Sequence, residues 1–188
     1  ARGMVEKVGS RAGLSLKAAE TPASALPPDL EALVNAEVDR LPPTEREVLR
    51  TVTVLGPDFG RDLAEALCSA GGLPPAAARE ALQALAAAGL LMATGGAAPT
   101  YRFSRLSDRE VIYGGLPAAE RRGLHARAAA AMEQQGAGDD LLAQHFDLAD
   151  DHPRAARACL TVAREAQRRG AYSDALRLFL ALGPVLSG

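Results

Sequence analysis

At 188 residues the chain is long enough to bury a core of its own, and its formal charge of −2 is spread without a block of like charge. That balance excludes a bulk electrostatic pull toward nucleic acid or an anionic membrane surface. Aromatics make up only 4% and Trp is absent, so the core falls to Leu, Val and Ala, which favours close-packed helices over a β-sandwich.

Residues 1–20 carry a weak helical pattern, and Glu20 to Asp29 (ETPASALPPD) reads as a linker. Leu30, Leu33, Val34, Val38 and Leu41 then recur at helical spacing and predict an inward stripe, ended by Pro42-Pro43. Thr44 with Glu47 predicts a capping box, a contribution of about 1 kcal/mol. The helix it opens is expected to bury Val48, Leu49, Val52 and Leu55 before Gly56-Pro57. A shorter helix over Arg61–Ala70 stops at Gly71-Gly72, and a third runs from Pro74-Pro75 to Ala88. In the third, Ala78, Leu82, Leu85 and Ala86 face inward and Gly89 follows its end. The period then changes. LLMAT (Leu90–Thr94) and TYRFS (Thr100–Ser104), separated by Gly95 to Pro99, predict a β-hairpin with Tyr101 and Phe103 on one face. Three helices followed by such a hairpin is the winged-helix order.

Ser107 and Glu110 predict a second capping box, which makes Ser107 a cap and not a nucleophile. The short helix behind it carries Val111, Ile112 and Tyr113 and ends at Gly114-Gly115. Pro117 opens a longer one whose apolar set is Leu124, Ala128, Ala131 and Met132. The remainder reads as helical hairpins, with turns at Asp150–Ala156 and Arg169–Leu176 that put Ala155 and Ala175 at matching positions. Small residues there let neighbouring helices approach closely, as stacked repeats require. The expected fold is therefore mainly α: a winged-helix domain over 26–116, then a linking helix and antiparallel helical hairpins, tetratricopeptide-like, over 117–188. Ala1 in place of an initiator Met is read as the opening of an excerpt from a longer chain.

No converged catalytic set can be assembled from the sequence: a Gly-x-x-x-x-Gly-Lys-Ser/Thr loop, a His-Glu-x-x-His pair and a Gly-x-Ser-x-Gly elbow are all missing. His145, His152 and Cys159 stand seven apart, yet Pro153 interrupts the helix that would align them on a metal. His125 sits beside an apolar stripe and among Arg121, Arg122 and Arg127, with no carboxylate close in sequence to orient it as a base; a half-buried structural role is expected. Asp139-Asp140 and Asp150-Asp151 read as acids at helix starts. Cys68 and Cys159 lie in helical patterns; a disulfide between them is possible in principle, and two free buried thiols are the expectation. Without an apolar run of about 18 residues or a signal-peptide layout, a cytoplasmic, membrane-free protein is expected.

A DNA-reading winged helix needs cations on its third helix and wing. Here that helix offers only Arg79, Glu80 and Gln83 as long polar side chains, and the wing tip carries no cation. A protein partner is therefore expected in place of nucleic acid.

Three stretches, LPPDLEALVNAEVDRLPPTEREVLRTVTVLGPDF, YRFSRLSDREVIYGGLPAAERRGLHARAAAAME and ARACLTVAREAQRRGAYSDALRLF, resemble the region that follows the NTPase core in bacterial signal-transduction ATPases with numerous domains. These are the large LuxR-type regulators and the ATPases attached to class III adenylate/guanylate cyclases or Ser/Thr kinases. The resemblance implies that residues 1–25 are the end of an NTPase lid or a linker. It implies partners in an upstream NTPase domain and in downstream helical repeats or an effector. No cofactor is expected within this chain, and ATP or ADP belongs to a full-length parent. Two positions depart from the family. Its strand-to-helix turn carries a phosphate-sensing His in a pattern like Phe-x-His-x-Leu-x-Arg-Glu; Phe103, Arg109 and Glu110 match, and Arg105 stands where the His does. Near the start, SRAGLSLK aligns with a Gly-Asn-Pro stretch, so that Ser15 takes the place of the adenine-side Pro. Arg105 either contacts a phosphate more strongly than a neutral His would, or marks a protein that no longer switches on nucleotide. A free-standing helical-repeat adaptor and a DNA-binding regulator are the alternatives.

Overall fold

The computed structural model describes residues 28–95 and 99–171. Ser15, the stretch 1–25, the hairpin tip at 96–98 and Ala175 lie outside them. The described chain is mainly helical, with eight α-helices and one small antiparallel sheet. No described helix is long and apolar enough to cross a membrane.

Helix α1 (Pro28–Asp39) buries Val34 and Val38, with Leu30 and Leu41 partly covered, but Leu33 is 60% exposed. The stripe is thus narrower than its spacing suggests, because α1 lies on the core along one edge. Helix α2 (Pro43–Val52) departs from expectation at its start. Pro43, whose fixed φ and missing N–H suit the first helical position, sets the beginning one residue before Thr44. Pro42 is the cap, no side chain caps the helix, and the Thr44 box does not form. A 3-10 turn, Thr53–Leu55, follows, and Gly56 at φ +100° and ψ −173° turns the chain through a conformation that is essentially glycine's own.

Sequence periodicity missed the next element. Asp58–Gly60 forms a three-residue strand, β1, that leads into α3 (Arg61–Ala70). After α4 (Pro75–Ala87) come β2 (Leu91–Thr94) and β3 (Thr100–Phe103), and the sheet order is β1-β3-β2, antiparallel throughout. Phe59 pairs with Tyr101, and Leu91 with Phe103. The alternation holds: Tyr101 and Phe103 turn inward, Thr100 and Arg102 outward. The Phe59 ring lies 6.1 Å from Tyr101 and 6.0 Å from Phe103, so three of the described aromatics share one place. Gly89 at φ +78° ends α4, with the Leu90 N–H reaching back to the Leu85 carbonyl at 3.1 Å.

Helix α5 (Leu106–Gly114) also starts differently from the sequence reading. Arg105, in an extended conformation, is its cap residue, and Ser107 lies inside the first turn with its hydroxyl on Asp108 Oδ1 at 3.4 Å. Ser107 is not the cap. Helix α6 (Ala118–Gln134) follows Pro117, then α7 (Asp139–Leu148) and α8 (His152–Arg168), which pack on each other across a three-residue connection. The turn is tighter than expected, because Pro153 is tolerated in the first turn of α8 and Asp151 caps it by accepting from Arg154 N–H at 3.2 Å. Ala155 is therefore helical and buried.

Burial falls into three clusters. The largest joins α1–α5 and the sheet around Val48, Leu49, Leu82, Leu85 and Leu91. A second links α6, α7 and α8 through Met132, Leu142, Phe146 and a set of alanines. Between them Val54, Leu67, Leu116, Leu124 and Ala128 make a small third, and Leu55 packs against all three. Each fully enclosed Leu contributes about 1.5–3 kcal/mol, so an aliphatic core suffices where aromatics are scarce.

Candidate functional site

The strand-to-helix turn is fixed from both sides. Arg105 Nε donates to Asp108 Oδ2 at 2.7 Å, and Nη2 donates to Glu37 Oε2 at 2.9 Å. Asp108 is enclosed, its side chain 3% exposed, while Arg105 is half open to solvent. The hydrogen bond to Asp108, then the charges of Asp108 and Glu37, raise the guanidinium's pKa above its ordinary value. Arg105 thus ties α5 to α1. Two of its five N–H groups are occupied. An incoming phosphate would meet two carboxylates already on the guanidinium. Four residues on, Arg109 Nε donates to the Thr53 carbonyl at 2.9 Å and its guanidinium carbon lies 5.5 Å from the centre of the Tyr113 ring; burial lowers its pKa. The two arginines of the motif brace the turn, one outside and one inside.

The cation of α4 is already paired. Arg79, the one cation of α4, donates from Nε and Nη2 to the two carboxylate oxygens of Glu65, both at 2.8 Å. The hydrogen bond to Arg79, the largest effect on Glu65, holds that carboxyl below its ordinary range against the opposing effect of burial. Arg61 approaches the same carboxylate at 3.5 Å, and Arg102 on the sheet pairs with Asp58.

Two enclosed histidines went unpaired in the sequence. His125 on α6 and His145 on α7 are 3% and 6% exposed, with their Nδ1 atoms 3.1 Å apart. The Tyr113 hydroxyl stands 2.9 Å from His125 Nε2, and Arg121 lies over the Tyr113 ring at 5.4 Å. Burial pushes His125 down to about 3, aided by His145, Arg109 and Arg121, and burial alone pushes His145 down to about 4. Both imidazoles are neutral near pH 7. Twenty residues separate the two, and no pattern within one helix reports such a contact.

His145, His152 and Cys159 do not converge. His152 is exposed and sits on Asp150 at 3.1 Å. Among the described residues no three His, Cys, Asp or Glu are grouped closely enough to hold a metal ion. Cys68 and Cys159 are both free and buried, and burial pushes the Cys68 thiol up to about 12. Cys68 lines a crevice with Glu47, Gly71 and Arg127 whose volume, about 10 Å³, is room for one water. No protein-family model, curated protein or solved structure matches this chain.

Proposed function

We propose that this chain is a non-catalytic relay region of a larger signalling ATPase, in which a winged-helix unit and the first tetratricopeptide-like helices pass nucleotide or ligand state between neighbouring domains by protein contact. The observation that carries the reading is the cluster of Val54, Leu67, Leu116, Leu124 and Ala128. It joins the sheet-bearing part to the helices that follow, so a displacement of one is felt by the other. The order of α2, β1, α3, α4, β2 and β3, with β1 paired to β3, supports the winged-helix assignment. The hold of Glu65 on Arg79 argues for a protein partner over nucleic acid, since phosphate contacts need free cations. The engagement of Arg105 by Asp108 and Glu37 favours a turn that braces the fold over one that reports on phosphate.

Titration calorimetry of the chain with ATP and with ADP is expected to give no binding in the micromolar range; micromolar affinity overturns the reading. The gene product is expected to carry a phosphate-loop NTPase ahead of Ala1. A reading frame without one transfers the assignment to a free-standing adaptor. Duplex DNA bound at low salt, with affinity falling steeply as salt is added, would establish the DNA-binding alternative.

A further inference from the structure

We propose that Tyr113, His125 and His145 form an acid-released latch that holds α7, and α8 with it, against α5 and α6. Only one proton fits between two Nδ1 atoms 3.1 Å apart. In the neutral state the chain is satisfied either way. One imidazole donates to the other, and His125 Nε2 takes the complementary role toward the Tyr113 hydroxyl. A first added proton keeps the N–H···N contact but leaves a charge enclosed. Among the described residues, the charged groups nearest to it do not help. From α5 and α6 they are the cations Arg109 and Arg121, both acting on His125. On α7, Asp147 is two residues from His145, on another side of the helix, exposed and 3.7 Å from His152. From α8, His152 is occupied with Asp150, and the buried Cys159 thiol stays protonated. A second proton sets N–H against N–H. Separation of α7 from α6 relieves both.

The sign follows from the folded values. An opened histidine takes a proton at its ordinary pKa of 6.5, while the closed pair holds out to about 3 and about 4. The latch is therefore fully engaged above about pH 6.5 and is lost progressively as pH falls toward 4. With those values the opening equilibrium rises on the order of several hundred-fold between about pH 7 and about pH 5. The opening is regional because five of the nine residues enclosed around α6–α8 are alanines, so little apolar surface holds that end once the imidazoles charge.

Hydrogen–deuterium exchange of the whole chain, corrected for intrinsic rates, tests the latch near pH 7 and near pH 5. Protection in α7 and α8 is expected to drop by several hundred-fold while α2–α4 change by less than about tenfold. No drop, or an equal drop everywhere, overturns the proposal. A His125→Gln and His145→Gln double variant should lose the pH dependence of α7–α8 exchange; a folded variant that keeps it also overturns the proposal. Should that variant fail to fold, NMR titration of the unaltered protein decides. Imidazoles still neutral below about pH 5 in the closed form support the latch, and ordinary titration of both near 6.5 overturns it.

Discussion

Leu124→Ala is the perturbation that most directly measures how firmly the two ends of the chain are joined. Leu124 is 1% exposed and shares its cluster with Val54, Leu67, Leu116 and Ala128, all between 0% and 3% exposed. The substitution removes three carbons, a transfer loss of about 2.4 kcal/mol at 0.8 per methylene. The cavity left behind adds to it, because α3 and α6 are held apart by other contacts, and the sum is about 3 kcal/mol. In a domain of this size that lowers the melting temperature by about 6–12 °C. Urea unfolding followed by far-UV circular dichroism gives the free energy, and Leu141→Ala is the control. Leu141 is on α7 but 48% exposed, so its truncation should stay within about 0.5 kcal/mol. A loss below about 1 kcal/mol at Leu124 would refute the reasoning, because it would mean that the cluster is not a joint.

Two glycines predict opposite signs. Gly56→Ala forces a side chain into a glycine-only conformation at φ +100° and should destabilise by about 1–3 kcal/mol, whereas Gly123→Ala, an open position inside α6, should stabilise by about 0.5–1 kcal/mol; thermal melts of both read the difference. Arg105→Ala should lower the melting temperature, since it unties Glu37 from the enclosed Asp108, and Arg105→Lys should restore only part of the loss. In a parent that carries an NTPase domain, the same Arg105→Ala change should leave nucleotide retention unaltered; altered retention would return Arg105 to the role of a phosphate sensor.

Much of the fold was readable because its punctuation is local. Pro75 fixes its own φ, while Gly72 and Gly89 permit the positive φ that ends a helix, and α3 begins and ends where those signals put it. The caps were misread for a related reason. Pro43 moves the start of α2 forward, and the extended Arg105 moves that of α5, so Thr44 and Ser107 fall inside helices instead of before them. Strand β1 was invisible because three residues carry no period; only its pairing with β3, some forty residues on, makes it a strand. Of the candidate site, Arg105 was identifiable by its place in a motif, but its partner Glu37 belongs to another helix. His125 was expected to be half-buried and is enclosed, 3% exposed. Its partner was out of reach, since the His125–His145 contact depends on how α6 and α7 pack rather than on either helix alone.

The position of Leu55 bears on how this protein can be shortened. A piece beginning at Pro117 would carry Leu124 and Ala128 with their neighbours gone, and a piece ending at Leu116 would leave Val54 and Leu67 facing water. Each stump would present an apolar strip to the solvent and invite self-association during purification. Since Leu55 also touches the cores on either side, trimming that spares its own helix still exposes it. Any minimal version has to keep the Thr53–Leu55 turn and α6 in one polypeptide, whatever else is removed.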